Sequence, residues 1–371
     1  MSNPIKVMTI FGTRPEAVKM APVVLELEKH STEIESIVTV TAQHREMLDQ
    51  VLNIFNIVPD YDLNIMKDRQ TLTNITTEAL QGLDDIMKNV QPDFVFVHGD
   101  TTTSFVASLA ALYNRIAVGH VEAGLRTWDK YSPFPEETNR NLTGVIADLH
   151  FAPTETAAQN LLNENKPRES IYVTGNTVID ALNTTVRKDY AHSVVDKIKH
   201  NRFILLTAHR RENLGEPMRN IFRSVKNIVD EHEDVQVVYP VHLNSAVRDI
   251  AYDVLGQHSR IHLIEPLDVI DFHNIVSQAY MVLTDSGGIQ EEASSLGIPL
   301  LVLRNTSERP EGIEAGTMKL AGTDETDIYN MTKELLVSEE AHSNMSKAIN
   351  PYGDGHAAQR IVQAVWSYYH Q

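Results

Sequence analysis

Thr284-Asp285-Ser286-Gly287-Gly288-Ile289-Gln290-Glu291-Glu292-Ala293 sets a Gly-Gly turn between an apolar run and a helical one. Tyr280 to Leu283, just before it, reads as a short buried strand, and Ser286-Gly287-Gly288 opens a helix directly after that strand. Glycines there let backbone N–H groups approach a ligand, and a helix N-terminus offers donors and the positive end of a dipole. A diphosphate suits such a turn. Glu292 falls nearly two turns in, where its carboxylate can accept from the two hydroxyls of a ribose. A second strand, Leu300 to Leu303, follows. A basic, acid-flanked loop then runs from Arg304 to Glu308-Arg309-Pro310-Glu311. Strand, Gly-rich turn, helix and strand describe half of a nucleotide-binding α/β unit.

A length of 371 residues favours two domains. Hydrophobic content of 42% and charged content of 22% are those of a globular protein. The chain has no cysteine, which excludes disulfides and thiolate metal sites and fits a reducing cytoplasm. No signal peptide is visible at Met1-Ser-Asn-Pro-Ile-Lys-Val7, and no apolar run approaches the roughly 20 residues of a membrane helix. A net charge of −18 argues against nucleic acid or an anionic membrane as partner. An acidic protein that binds a diphosphate must gather its cations locally, so clustered Arg and Lys carry information.

Strands alternate with helices along the rest of the chain. Lys6 to Phe11 leads into Gly12-Thr13-Arg14-Pro15-Glu16 and a helix, with Lys19 on its first turns. Ile34 to Thr41, Asp93 to His98 and Ile116 to Val121 read as further strands, and Gln70 to Asn89 as a long amphipathic helix. Glu136-Glu137 opens a helix after the proline-rich loop from Trp128 to Pro135. The rhythm lapses in the polar Asp189–Asn201 stretch and resumes with strands at Phe203–Thr207, Val235–Tyr239, Ile261–Ile264 and Thr317–Leu320. The fold class expected is α/β, two Rossmann-like domains over 1–185 and 190–355 facing a central cleft. Within residues 356–371, which would return to the first domain, Ala357 to Tyr369 reads as a helix with Ile361, Val365, Trp366 and Tyr369 spaced to bury.

Gly12-Thr-Arg, His98-Gly-Asp, His120-Val-Glu, His209-Arg-Arg, Pro240-Val-His and Asp285-Ser-Gly-Gly all fall just past the carboxyl end of an expected strand. In open α/β sheets that edge binds ligands. No G-x-G-x-x-G, P-loop, H-E-x-x-H or G-x-S-x-G occurs, so a dinucleotide fingerprint, a P-loop, a zinc protease motif and a hydrolase elbow are all unsupported. Neither a metal nor a cofactor is expected. What remains is a set of carboxylates (Asp100, Glu122, Glu136), a set of cations (Arg14, Lys19, Arg210, Arg211, Arg309) and His209.

Six stretches carry a resemblance to a known family. They are Phe11-Gly-Thr-Arg-Pro-Glu-Ala-Val-Lys-Met-Ala-Pro22, His98-Gly-Asp-Thr-Thr-Thr103, Gly119-His-Val-Glu-Ala-Gly-Leu-Arg-Thr127, Pro135-Glu-Glu-Thr-Asn-Arg140, His209-Arg-Arg-Glu-Asn213 and Asp285-Ser-Gly-Gly-Ile-Gln-Glu-Glu292. Together they closely resemble the bacterial non-hydrolysing UDP-N-acetylglucosamine 2-epimerases, in collinear order over nearly the whole chain. The resemblance implies a GT-B glycosyltransferase-type fold with UDP held mainly by the second domain, a homodimer, and interconversion of UDP-GlcNAc and UDP-ManNAc that supplies ManNAc for cell-surface polysaccharide. It implies Asp100, Glu122, Glu136 and His209 as catalytic residues. Substrate contacts would come from Arg14, Lys19, Asp100, Glu122, His209, Leu267, Phe272, Ser286, Gly287, Gly288, Glu292 and Arg309. Leu267 stands where many relatives carry Gln beside the uracil. A second UDP-GlcNAc acting as activator would fall to Gln43, Arg69, Gln70, Glu136, Arg210 and His242.

The chemistry accounts for this inventory. C2 of a pyranose has no adjacent carbonyl to acidify its proton, but expelling UDP from C1 as that proton leaves removes the difficulty. Carboxylates are then needed as base and acid, and cations on the diphosphate leaving group. Which carboxylate takes the proton stays open. A hydrolysing epimerase, a glycosyltransferase of the same fold and a non-catalytic nucleotide-sugar sensor are the rival readings.

Overall fold

The computed structural model describes residues 4–43, 45–67, 70–198, 201–307 and 309–370. The chain forms two compact units, Met1–Ala181 with Gly353–Gln371, and Leu182–Tyr352. The division falls inside the Thr177–Thr185 helix, and the polar 189–201 stretch belongs to the second unit, where Ser193–Ile198 forms a short helix. Polarity there marks exposure to solvent and not a seam between units.

Among the described residues, the first unit holds seven strands: β1 (Ile5–Phe11), β2 (Ile34–Val40), β3 (Tyr61–Asp62), β4 (Phe94–His98), β5 (Ala117–Val121), β6 (Leu149–Ala152) and β7 (Ile171–Val173). The second holds six: β8 (Arg202–Thr207), β9 (Val235–Pro240), β10 (Ile261–Ile264), β11 (Met281–Thr284), β12 (Leu300–Val302) and β13 (Met318–Leu320). The sheet orders are β3-β2-β1-β4-β5-β6-β7 and β10-β9-β8-β11-β12-β13, and the pairings are parallel throughout.

The second order repeats the first with one strand fewer at the far edge. Each sheet starts at its middle, winds outward to one edge, then returns to the middle and winds to the other. The reversal lies between β1 and β4 in one unit and between β8 and β11 in the other. A doubly wound sheet opens a crevice outside the carboxyl ends of its strands at that reversal. The turns after β1 and β4 carry Gly12–Arg14 and Gly99–Asp100, and those after β8 and β11 carry His209–Arg210 and Asp285–Gly288.

Burial explains why the strands form. Val7, Met8, Ile10 and Phe11 of β1 and Phe94 to Val97 of β4 have no solvent-accessible surface, so neither face of the sheet alternates polar with apolar. One core packs the helices Leu72–Val90 and Thr102–Tyr113 on the first sheet, through Ala79, Leu83, Met87, Val106 and Ala110. Another packs Glu216–Glu231 and Ser245–Leu255 on the second, through Phe222, Ile228, Val247 and Leu255.

The Ala357–Tyr369 helix belongs to the first unit and lies against the Arg14–Lys29 helix. Ile361 and Val365 are buried as their spacing suggests, but Trp366 and Tyr369 remain 39% and 37% exposed. Both rings are nonetheless engaged: Tyr369 packs edge-on to Phe94 and donates its hydroxyl to the Asp93 carbonyl at 2.6 Å, and the Trp366 ring stacks on His370.

Candidate functional site

In the first unit a buried carboxylate organises the turn at the sheet reversal. Glu16 accepts from the Gly12 and Thr13 amides at 3.1 and 2.8 Å, and from the Thr13 hydroxyl at 2.7 Å. It also accepts from the hydroxyls of Thr101 and Ser104, at 2.7 and 3.0 Å. One side chain thus ties the turn after β1, which presents Arg14, to the turn after β4, which presents Asp100. Gly12 has no alternative there, because a Cβ would lie 2.1 Å from the Thr41 hydroxyl.

Glu122 follows β5 with its backbone in the left-handed region at φ 62°, a strained position for a residue with a side chain. Its Oε2 pairs with the Lys19 ammonium and accepts from the Asn176 amide at 2.8 Å. His98 Nε2 stands 3.6 Å away, too far for a hydrogen bond. Burial works against ionising this carboxyl, but Lys19 and then His98 more than offset it and hold the group well below the usual carboxylate range. Lys19 thus reaches the acid directly.

Asp100 pairs with Arg140, which also sits 3.4 Å from the buried Glu137. The Asn139 amide donates to the Asp100 carbonyl at 3.0 Å. Glu137 itself accepts from the Thr127 and Trp128 amides, both at 3.1 Å, and so fastens the loop that leads into the Glu136–Ile146 helix. Glu136 is the first residue of that helix and is half-buried. His120 is buried, and burial pushes its ring down to about 3. It is therefore neutral, and its Nε2–H donates to the Gly99 carbonyl at 2.7 Å, bracing the turn that carries Asp100.

In the second unit Asp285 takes the organising part. Its Oδ2 accepts from the His209 and Arg210 amides, both at 2.9 Å, and from Asn213 at 3.1 Å, while Arg210 Nε donates to its carbonyl. The His209 ring stacks on His242 with centroids 5.0 Å apart. Burial, with His242 and Arg210 beside it, lowers the His209 pKa against the pull of Asp285. His209 thus offers a neutral N–H donor, and only an arriving anion would favour its cation.

Ser286 occupies the N-cap position of the Gly287–Ser295 helix, with no capping hydrogen bond from its side chain among the described residues. The Arg309 guanidinium packs over this N-terminus, 3.0 Å from where a Gly287 Cβ would stand, and its Nε donates to the buried Glu291 at 2.6 Å. A cation beside a helix N-terminus with a glycine opening favours an anionic group. Glu292 lies on the same helix, with His273 3.7 Å from its Oε2. Leu267 lies in the loop after β10, and Phe272 on the Val269–Gln278 helix that follows it.

Gln43 and Gln70 meet in the first unit, where the Gln70 amide donates to the Gln43 carbonyl at 3.3 Å. Arg210 and His242 meet around His209 in the second. Arg69 lies outside the described residues.

Asp285→Ala should destabilise the second unit by about 1–3 kcal/mol, because it leaves donors behind without their acceptor. Turnover should fall as well, since the His209 turn loses its anchor. Urea unfolding with a kinetic assay checks this, and an unchanged midpoint would contradict it.

The profile of the UDP-N-acetylglucosamine 2-epimerase family matches residues 25–366. The UDP-N-acetylglucosamine 2-epimerase of Bacillus subtilis is 65% identical over 98% of this chain and 96% of its own. The structure of Staphylococcus aureus MnaA with UDP superposes with a TM-score of 0.91 at 54% identity, covering 99% of this chain and 97% of that one. That of the Neisseria meningitidis UDP-GlcNAc 2-epimerase bound to UDP-GlcNAc superposes with a TM-score of 0.90 at 50% identity, covering 98% and 100%. Likeness at this level makes the fold a two-domain α/β fold of the GT-B type. A chain of two doubly wound sheets, with acids at the edge of one and a Gly-Gly helix N-terminus at the edge of the other, is matched over nearly its whole length: it belongs to the UDP-N-acetylglucosamine 2-epimerase family.

Proposed function

We propose that this chain interconverts UDP-GlcNAc and UDP-ManNAc without hydrolysing them. The observation that carries the reading is Glu122, an acid kept ionised by Lys19 at the carboxyl edge of a sheet, in a chain of this family. Elimination begins as a carboxylate removes the C2 proton. The C2–H electrons form the C1=C2 bond, and the C1–O bond breaks with its electrons leaving on UDP. The products are 2-acetamidoglucal and UDP. Re-addition delivers a proton from a second acid to the opposite face of C2 while UDP returns to C1, which inverts C2; the first carboxylate is left protonated and the second ionised, and proton exchange with solvent resets the pair. Asp100, Glu122 and Glu136 serve as acid and base. Arg14, Arg309, the neutral His209 donor and the Gly287 helix N-terminus stabilise the departing diphosphate. Glu292 takes the ribose, and Leu267 and Phe272 adjoin the uracil.

Proton NMR of UDP-GlcNAc incubated with the protein alone tests this. UDP-ManNAc should appear until equilibrium is reached, while free ManNAc with UDP, or no reaction at all, would overturn it.

The same reading extends to regulation, assembly and compartment. A second UDP-GlcNAc activates through Gln43, Arg69, Gln70, Arg210 and His242, supported by the Gln43–Gln70 and His209–His242 contacts. A ligand shifts a conformational equilibrium only by its differential affinity for the two states. UDP-ManNAc freed of its epimer should therefore turn over with a lag. Traces of UDP-GlcNAc should abolish that lag and raise the initial rate by about 5–150-fold, the usual span of allosteric coupling. Gln70→Ala should blunt the effect, and a linear onset indifferent to UDP-GlcNAc would remove the second site. The protein acts as a homodimer in the cytoplasm, a compartment that suits a nucleotide-sugar substrate and a chain without cysteine.

A further inference from the structure

Three elements hold the Glu122 carboxylate: Lys19 from the Arg14–Lys29 helix, His98 from the end of β4, and Asn176 from the turn after β7. Lys19 and His98 are the titratable groups that face it. Asn176 is different in kind, a neutral donor that is itself fixed at both ends of its amide. Its Oδ1 accepts from the Val178 amide at 3.1 Å, which turns Nδ2 onto Glu122 Oε2 at 2.8 Å. Only 2% of its surface is exposed.

The turn that carries Asn176 is clamped from behind by the segment entering the last helix. Gly353, at φ 127°, passes so close that a Cβ would stand 3.1 Å from the Gly175 Cα and 3.4 Å from the Asn176 nitrogen. Arg360 donates to the Thr174 carbonyl at 3.0 Å. Asp180 accepts from the Ala357 and Ala358 amides at 3.2 and 2.9 Å. These contacts grip the chain on both sides of Asn176.

We infer that Asn176 is a positioning residue for proton transfer at Glu122, and that the Gly353–Arg360 segment is the brace that keeps it in place. The inference rests on the proposed acid–base part of Glu122. An amide N–H donated to a carboxylate stabilises its ionised form and fixes the oxygen that accepts. Because the brace comes from the far end of the chain, the C-terminal helix becomes part of the machinery that orients the acid.

The test measures kcat, KM, the pH profile of kcat and thermal stability for Asn176→Ala, Asn176→Asp, Gly353→Ala and Glu122→Gln. Asn176→Ala should lower kcat by about 10–100-fold, the scale of a misplaced catalytic group. Its KM should stay within about twofold, and the acidic limb of the profile should move to higher pH because the ionised form has lost a donor. Asn176→Asp, which keeps the shape, should move that limb further, since two carboxylates then share Lys19. Gly353→Ala should shift it in the same direction by less, without touching Glu122. Wild-type kcat and profile in Asn176→Ala or Asn176→Asp, with Glu122→Gln inactive, would overturn the inference and leave the epimerase reading standing. Loss of stability and activity together with an unmoved pH limb would also overturn it, since a merely structural residue predicts that. Full turnover by Glu122→Gln would sink the underlying reading itself.

Discussion

Glu122→Gln should lower turnover by about 10²–10⁴-fold, the range for removing an acid–base group. The amide keeps the shape of the side chain but cannot take or return a proton. It also removes the charge that Lys19 answers, in a place where both side chains are almost wholly shielded from solvent. The rate should therefore fall far more than substrate affinity, because the uridine and diphosphate contacts proposed above fall to other residues. Steady-state kinetics from both nucleotide sugars would check this. A variant whose kcat stays near wild type, or whose whole loss lies in KM, would contradict the part given to Glu122.

A second large effect concerns acid. His120 and His150 lie in the first unit, and burial first of all depresses them from 6.5 to about 3 and about 4. Below pH 6.5 the unfolded chain binds protons that the folded one refuses until pH 4 or lower. Their contribution is thus complete above pH 6.5 and drains as pH falls, by about 1.4 kcal/mol per unit for each histidine. By pH 4.5 the two together account for roughly 5 kcal/mol, comparable with the whole stability of many domains. Glu122, a carboxyl depressed in the folded state, loses its contribution at still lower pH and so acts in the same direction. Both tryptophans, Trp128 and Trp366, belong to the first unit, so intrinsic fluorescence follows it selectively. The fluorescence melting temperature should be level from pH 8 to 7 and fall steeply from 6.5 to 4.5. A level curve through pH 5 would refute the neutral, buried state of these rings.

Much of the architecture was legible because parallel strands buried on both faces write themselves as apolar runs. Ile261–Ile264 and the Ala357–Tyr369 helix have the bounds that the pattern suggested, and most other elements differ by a residue or two. The turns at strand ends were legible for the same reason, since Gly-Asp and Ser-Gly-Gly interrupt those runs abruptly. β3, β6 and β7, of two, four and three residues, left little trace. Missing β7 hid Asn176, which looks in sequence like any loop asparagine. Glu16, Glu137 and Asp285 were hidden differently. A carboxylate that collects backbone amides in a buried turn is written with the same letter as one in solvent, and only the folded chain brings its donors together. Lys19 is a similar case, because its place near a helix start suggested a phosphate contact and nothing in the sequence announced its ion pair with Glu122.

The central claim is that the C2 proton leaves to a protein carboxylate as UDP departs, and the most direct measurement is the fate of that proton. UDP-GlcNAc turned over in deuterated water without added nicotinamide should yield UDP-ManNAc carrying deuterium at C2, with loss of the C2 proton signal as the reaction proceeds. Product that retains undiluted protium at C2 after many turnovers would contradict the account.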